Sequence, residues 1–333
     1  MPRSRPLVAL LLAGVLAAPA AARAQGDPSP HRAARVVADG VGLEVLDWGG
    51  AGPALVFVPG FGNSAHVFDD FAPRFADRHR VVGVSRVGFG GSDQPERDGY
   101  ALDARVAQLR AVLDSLGLRR AVLVGHSLGG DEITAFATRF PERTAGVVYL
   151  DAALDHVEAI AMEARLDSVL TGMPRPAARD RADAAGYRAY LRRAMGMEYP
   201  IGEVLATTRF DAAGAVLGRR TPGRVAEAIF AATRPLDFRG VRAPALALYA
   251  EWTPLTVMFP FLADDPAQRA RVATVVDTVM RPWVARERAR LAREVPHARV
   301  VSFPSHHYQF LSDAGETERP MRAFLAALPP AAP

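Results

Sequence analysis

The 333-residue chain contains no cysteine and no lysine. Without cysteine there is no thiol nucleophile, disulfide, cysteine-ligated zinc or iron–sulfur cluster. All 40 Lys+Arg positions are arginine, so a Schiff-base lysine, a Ser-Lys dyad and the P-loop lysine of nucleotide hydrolases are excluded too. Chemistry is left to Ser, Thr, His, Asp, Glu, Tyr or a metal. Long hydrophobic runs are also lacking. The apolar stretch Leu7 to Ala18 is too short to span a membrane comfortably.

That stretch has a different reading. It follows Arg3 and Arg5 and is followed by Ala22-Arg23-Ala24, the charged, apolar and small-residue segments of a secretory signal. Cleavage after Ala24 would remove three arginines and no acid, taking the formal net charge from +4 to +1. A nearly neutral chain gives no electrostatic case for nucleic acid binding. The expectation is an exported protein, periplasmic or secreted, with no stable membrane insertion after cleavage. The remaining composition, 50% hydrophobic and 23% charged, is that of a globular protein.

Short apolar runs alternate with helical patterns. Candidate strands are Arg35–Ala38, Leu43–Asp47, Ala54–Val58, Val81–Val84, Ala121–Val124, Gly146–Leu150, Ala245–Tyr249 and Arg299–Phe303. Most are continuous apolar runs of four to six residues, as strands buried on both faces require. Helical stripes occupy Asp103 to Leu116, Leu128 to Phe140 and Thr317 to Leu328. This alternation predicts a doubly wound, mostly parallel α/β sheet. The pattern breaks between Asp151 and Ala245, where no good strand is evident. The expected organisation is a signal peptide at 1–24, a leader at 25–34, a core at 35–151 and 245–328, and a helical lid at 152–244.

The strongest chemical signal is Gly125-His126-Ser127-Leu128-Gly129-Gly130, between an apolar strand and a helical pattern. A serine on a sharp strand-to-helix turn needs small neighbours two positions either side, because its backbone is strained and closely approached. The turn lifts the hydroxyl above the sheet edge. It also aims the Leu128 N–H, at a helix start, toward a developing oxyanion. In this context the sequence, from about Arg35 to Leu328, resembles the α/β-hydrolase fold family.

Further motifs match that family in order. Pro59-Gly60-Phe61-Gly62 resembles its oxyanion loop, with Pro59 where His is common, and the resemblance gives the second oxyanion donor as the Phe61 N–H. Arg86-Val87-Gly88-Phe89-Gly90-Gly91-Ser92 resembles a structural turn, in which Ser92 reads as a hydrogen-bonder. Neither Gly-x-Gly stretch completes a dinucleotide loop followed by an acid.

A seryl nucleophile needs a base. Of eight histidines, His31, His66, His79 and His297 read as surface residues, His126 is the variable residue of the elbow, and His156 begins the lid. Ser305-His306-His307-Tyr308 follows the last strand, where the family keeps its catalytic His, and the tail after it favours His307. A metal site at the His pair is disfavoured, since no carboxylate stands at ligand spacing. The third member is open. The family's usual acid position holds Thr253, which cannot carry the charge, leaving Asp151 after the sixth strand or Glu251 as the alternative. Asp131 and Glu132 read as first-turn acids that complement the helix dipole.

The resemblance implies a serine hydrolase that cleaves an ester-like bond of a small or medium apolar molecule, needing no cofactor and no metal. A Ser nucleophile argues against dehalogenase and epoxide hydrolase chemistry. Amidase or aminopeptidase, lactonase, carbon–carbon hydrolase and cofactor-free perhydrolase remain same-triad alternatives, and a non-catalytic binding protein is the alternative of another class. Lid methionines suit an adaptable apolar pocket, with Tyr308 and Phe310 near its mouth.

Overall fold

The computed structural model describes residues 27–252 and 254–329; the expected signal segment and Thr253 lie outside them. Eight strands form one sheet: β1 (Arg32–Ala38), β2 (Val41–Gly49), β3 (Ala54–Val58), β4 (Arg80–Val84), β5 (Ala121–His126), β6 (Thr144–Leu150), β9 (Ala245–Ala250) and β10 (Arg299–Phe303). Their spatial order is β1-β2-β4-β3-β5-β6-β9-β10. The β1–β2 and β2–β4 pairs are antiparallel and the others parallel. Every strand expected from the apolar runs is present.

The apolar runs explain the layering. Val56, Leu123, Val147 and Ala247 feed one core, against α1 (Leu102–Ser115) and α2 (Gly129–Arg139). Their neighbours Leu55, Phe57, Val122, Val124, Val148, Leu246 and Leu248 feed the other. That second core is closed by Phe68, Phe71 and Phe75 from two short 3₁₀ helices and by Met321 and Phe324. Each such side chain contributes about 1.5–3 kcal/mol over leaving it exposed.

Between β6 and β9 lie α3 (His156–Asp167), α4 (Ala184–Met195), α5 (Ile201–Thr207) and α6 (Gly223–Ala231). The expectation of no strand there is corrected. An antiparallel hairpin, β7 (Thr208–Phe210) with β8 (Val216–Arg219), separates α5 from α6. Strands of three and four residues are too short to establish a period-two pattern. Between β9 and β10 run α7 (Leu255–Met258), α8 (Pro266–Val275) and α9 (Arg281–Glu294), with one π-helical turn joining the last two. The chain ends with α10 (Gln309–Ser312) and α11 (Ala314–Ala326). No helix among the described residues is long and apolar enough to cross a membrane.

Strand order fixes where a site can form. The chain leaves β3 toward β4 on one side and returns to β5 on the other, so the loops after β3 and β5 diverge from adjacent strands. Crevices at such a switch point, beyond the carboxyl ends of parallel strands, are where ligands bind in open α/β sheets.

Candidate active site

The sequence after β5 turns into α2 through Ser127, whose φ is +48°. A non-glycine residue in the left-handed region is strained and persists only where its surroundings over-determine it. Here glycines do so. A Cβ at Gly129 would strike the Val58 carbonyl of β3, and one at Gly130 would strike the Ala152 carbonyl beyond β6. The elbow is therefore wedged between neighbouring strand ends, with the Ser127 N–H donating to Leu150 O at 3.3 Å. Leu128 precedes the first turn of α2, so the helix provides no carbonyl for its N–H.

Asp151 directly follows β6 and also has a positive φ, +47°. Its carboxylate is buried and accepts from three donors: the Ala250 N–H at 3.2 Å, the Trp252 indole at 3.4 Å and His307 Nδ1 at 2.7 Å. With Nδ1–H donated to Asp151, the Nε2 of His307 carries a free lone pair and can accept a proton. His307 keeps 24% of its side chain exposed, against 1% for Asp151. The sequence left Asp151 and Glu251 open, and the fold brings only Asp151 to the imidazole. Glu251 is exposed, and its backbone N–H pairs with Phe303 O.

The two adjacent histidines are sorted by their partners. His306 is buried, donates Nε2–H to Met195 O of α4 at 3.1 Å, and accepts the Tyr308 N–H on Nδ1 at 3.1 Å. Burial and the neighbouring His307 push its pKa down to about 4. Both its ring nitrogens are occupied, which leaves it a brace to α4. His126 is fully buried and packs against His307 in a tilted arrangement, with ring centroids 4.6 Å apart. It donates Nε2–H to the His307 carbonyl at 3.2 Å. Burial holds its pKa well below the usual value, so the residue beside Ser127 is a neutral support for the His307 loop.

The loop after β3 carries Pro59, Gly60 and Phe61. Arg86, buried after β4, donates to Gly60 O at 3.0 Å and Pro59 O at 2.7 Å, and its Nε pairs with Glu132. Glu132 also accepts from buried Arg105 at 2.7 Å. Thus Glu132 stands in the first turn of α2, as expected, and is also the buried counter-ion of Arg86, which holds the Pro59 and Gly60 carbonyls. Asp131 is likewise buried and pairs with His156 Nδ1 at 2.6 Å. Phe61 packs its ring on Phe230 of α6 at 4.4 Å and on Phe89 at 5.7 Å. Ser92 is a turn residue: its hydroxyl donates to Ser85 O at 2.7 Å and accepts the Glu44 N–H.

Two further expectations are corrected. Phe310 is not at a pocket mouth; it is 1% exposed and packs on Phe68, Phe71 and His126. Tyr308 instead reaches Asn63 Oδ1 at 2.9 Å, and Asn63 donates to Glu203 of α5 at 2.8 Å. Burial pushes the Glu203 pKa up to about 7 against the opposing hydrogen bonds of Ser64 and Asn63. The surface reading of His31 and His66 also fails. His66 is buried in a short 3₁₀ helix, and His31 lies against it, with rings 4.8 Å apart. Burial opposes charge on His66, but hydrogen bonds with Asp27, Asp69 and Glu44 outweigh it and push its pKa up to about 12.

Residues 53–189 match a family model described as alpha/beta hydrolase fold. The chain is 36% identical over 120 residues to a 2-hydroxy-6-oxo-2,4-heptadienoate hydrolase of Pseudomonas putida, covering 35% of this chain and 43% of that protein. It is 31% identical over 158 residues to a 2-(acetamidomethylene)succinate hydrolase of Mesorhizobium japonicum, covering 42% of this chain and 56% of that protein. The chain spans only 30% to 56% of the length of the curated relatives it matches. Among solved structures, E-2-(acetamidomethylene)succinate hydrolase superposes with a TM-score of 0.67 at 21% identity, over 89% of this chain and all of that one. The sheet order, the strained serine at the switch point and these matches lead to one assignment: the chain has the alpha/beta hydrolase fold, and its residues 53–189 match the model of that family.

Proposed function

We propose that the protein is a serine hydrolase that cleaves an ester-like bond through an acyl-enzyme. The observation that carries this reading is the 2.7 Å contact between His307 Nδ1 and the buried Asp151 carboxylate, one strand away from a left-handed Ser127. In this mechanism Ser127 Oγ attacks the carbonyl carbon while His307 Nε2 takes its proton. The carbonyl electrons move onto oxygen, and the Phe61 and Leu128 N–H groups stabilise that charge. Collapse expels the leaving group, which receives the proton from His307. Water, deprotonated by the same imidazole, then releases the acid and regenerates Ser127. Asp151 holds the tautomer and stabilises the imidazolium without taking its proton. No cofactor enters these steps.

The rings of Phe61, Phe89 and Phe230 beside the oxyanion loop support an apolar acyl group of small or medium size. Residues 1–24 support export, which N-terminal sequencing of the secreted or periplasmic chain would test. The activity test is hydrolysis of p-nitrophenyl esters with acyl chains of two to twelve carbons, with Ser127→Ala as the control. The reading requires turnover by the parent and its loss in the variant. A folded parent that cleaves none of these esters would exclude ester hydrolysis and direct the search to amides and lactones.

A further inference from the structure

A second cluster of ligand-type side chains lies outside this site, where three separate segments meet. Asp27 and His31 come from the segment before β1, His66 and Asp69 from the 3₁₀ helix after β3 and its cap, and Gly202 from the first turn of α5. One donor atom from each of Asp27, His31, His66 and Asp69 lies within 4.8 Å of all the others. The shortest contacts within the cluster are 2.9 Å for His31 Nδ1 to Asp69 Oδ1 and 3.0 Å for His66 Nδ1 to Asp69 Oδ2. His66 Nδ1 lies 3.3 Å from Asp27 Oδ2, and His31 Nε2 lies 3.8 Å from the same oxygen. Ligands at 2.0–2.1 Å from a tetrahedral ion stand roughly 3.3 Å apart, which is the separation of His66 Nδ1 from Asp27 Oδ2 and close to its separation from Asp69 Oδ2; His31 would enter through one of its two nitrogens.

Two independent features point the same way. A Cβ built on Gly202 falls 2.6 Å from Asp27 Oδ2, 2.7 Å from Asp69 Oδ2 and 2.9 Å from His66 Nδ1. The backbone of α5 therefore packs directly against three of the donor atoms, and only glycine fits at this position. The second feature is an outer shell. His66 Nε2 faces Glu44 Oε1 at 3.5 Å, and the Trp48 indole donates to Asp69 Oδ1 at 2.9 Å. Metal-ligating imidazoles commonly turn their second nitrogen to a carboxylate, and ligating carboxylates are themselves hydrogen-bonded. Three carboxylates (Asp27, Glu44 and Asp69) thus face two imidazoles in a largely buried space.

The geometry points to a structural divalent-cation site formed by Asp27, His31, His66 and Asp69, of the two-nitrogen, two-oxygen type that suits zinc. Its role is to tie the segment before β1 to the 3₁₀ helix of the core and, through Gly202, to seat α5. That seat matters to the candidate active site, because Glu203, the next residue, holds Ser64 and Asn63 beyond the oxyanion loop.

The test uses the full folded chain, first assayed for zinc by elemental analysis as purified, then stripped with chelator and titrated with zinc chloride by calorimetry. One zinc per chain, bound at micromolar concentration or tighter, is expected. Asp27→Asn and His31→Ala, both on the peripheral segment, should weaken it by about tenfold or more. Circular dichroism confirms that these variants fold, and His307→Asn, at the separate His pair, should bind zinc as the parent does. Cobalt should give the intense visible bands of a tetrahedral centre in the parent and in His307→Asn, and lose them in Asp27→Asn and His31→Ala. Absence of stoichiometric zinc binding by the stripped, folded parent would overturn the site, leaving a cluster closed by protons. Zinc binding unaffected by Asp27→Asn and His31→Ala would overturn it equally.

Discussion

Asp151 and His307, 156 residues apart in sequence, meet at 2.7 Å because β6 and β10 flank β9 in the parallel sheet and both end at the same edge. The left-handed turn at Asp151, with its N–H on Leu248 O at 2.8 Å, aims the carboxylate at the imidazole. Its other oxygen is occupied by the Ala250 N–H.

This relationship separates the two candidate acids. Asp151→Asn preserves shape but removes the charge and disturbs the tautomer of His307, so kcat for ester hydrolysis should fall by about 10⁴. Glu251→Gln, exposed and away from the imidazole, should change kcat by no more than a few-fold. Steady-state kinetics of the two variants side by side check this, and the reverse ranking would reassign the acid.

Arg86 is expected to matter through the backbone it holds. Its guanidinium fixes the Gly60 and Pro59 carbonyls and is neutralised by Glu132. Arg86→Ala leaves Glu132 and Arg105 in a broken buried network, at a cost of about 3–5 kcal/mol in urea unfolding. In Arg86→Lys the charge survives but the fork does not. That variant should lose kcat with KM little changed, approaching the 10²-fold expected when an oxyanion donor is displaced.

Acid should unfold the protein through its buried neutral histidines. Burial, reinforced by His307, depresses the pKa of His306 to about 4 and that of His126 well below its ordinary value. The unfolded chain takes up these protons near pH 6.5, whereas the fold refuses them. The stability is therefore fully present above pH 6.5 and is lost as pH falls toward 4, by up to about 3 kcal/mol for His306. Urea midpoints at pH 7 and pH 4.5 should show His306→Gln losing less than the parent over that interval. An equal loss would remove His306 from the account.

The aromatic core beneath β3 should dominate stability. Phe57 is fully buried against Trp48, Phe68, Phe71 and Phe75, with ring centroids 5.0–6.4 Å apart. Phe57→Ala should cost about 3–5 kcal/mol, read from the shift in urea midpoint at unchanged slope.

The sheet was legible in the sequence because its strands are buried on both faces, so Ala54–Val58 or Ala245–Ala250 reads as an unbroken apolar run. The position of Ser127 just past β5 followed from the apolar run Ala121–Val124 and the glycines around the turn. What could not be read was pairing across long separations. Asp151 and Glu251 each stand one residue past a strand end, and only the third dimension distinguishes them. Glu132 is a first-turn acid, as read, but that Arg86 and Arg105 close on it comes only with the fold. His66 sits in a polar stretch, and the groups that bury it arrive from Asp27, Glu44, Asp69 and the α5 backbone. The β7–β8 hairpin is simply too short for its alternation to register.

The measurement closest to the central claim is the intact mass of the protein after reaction with a fluorophosphonate probe, followed by peptide mapping. The account predicts a single adduct on Ser127, abolished in Ser127→Ala and slowed by orders of magnitude in His307→Ala. A folded parent that takes no label, or takes it on another residue, would contradict the assignment of Ser127 as the nucleophile.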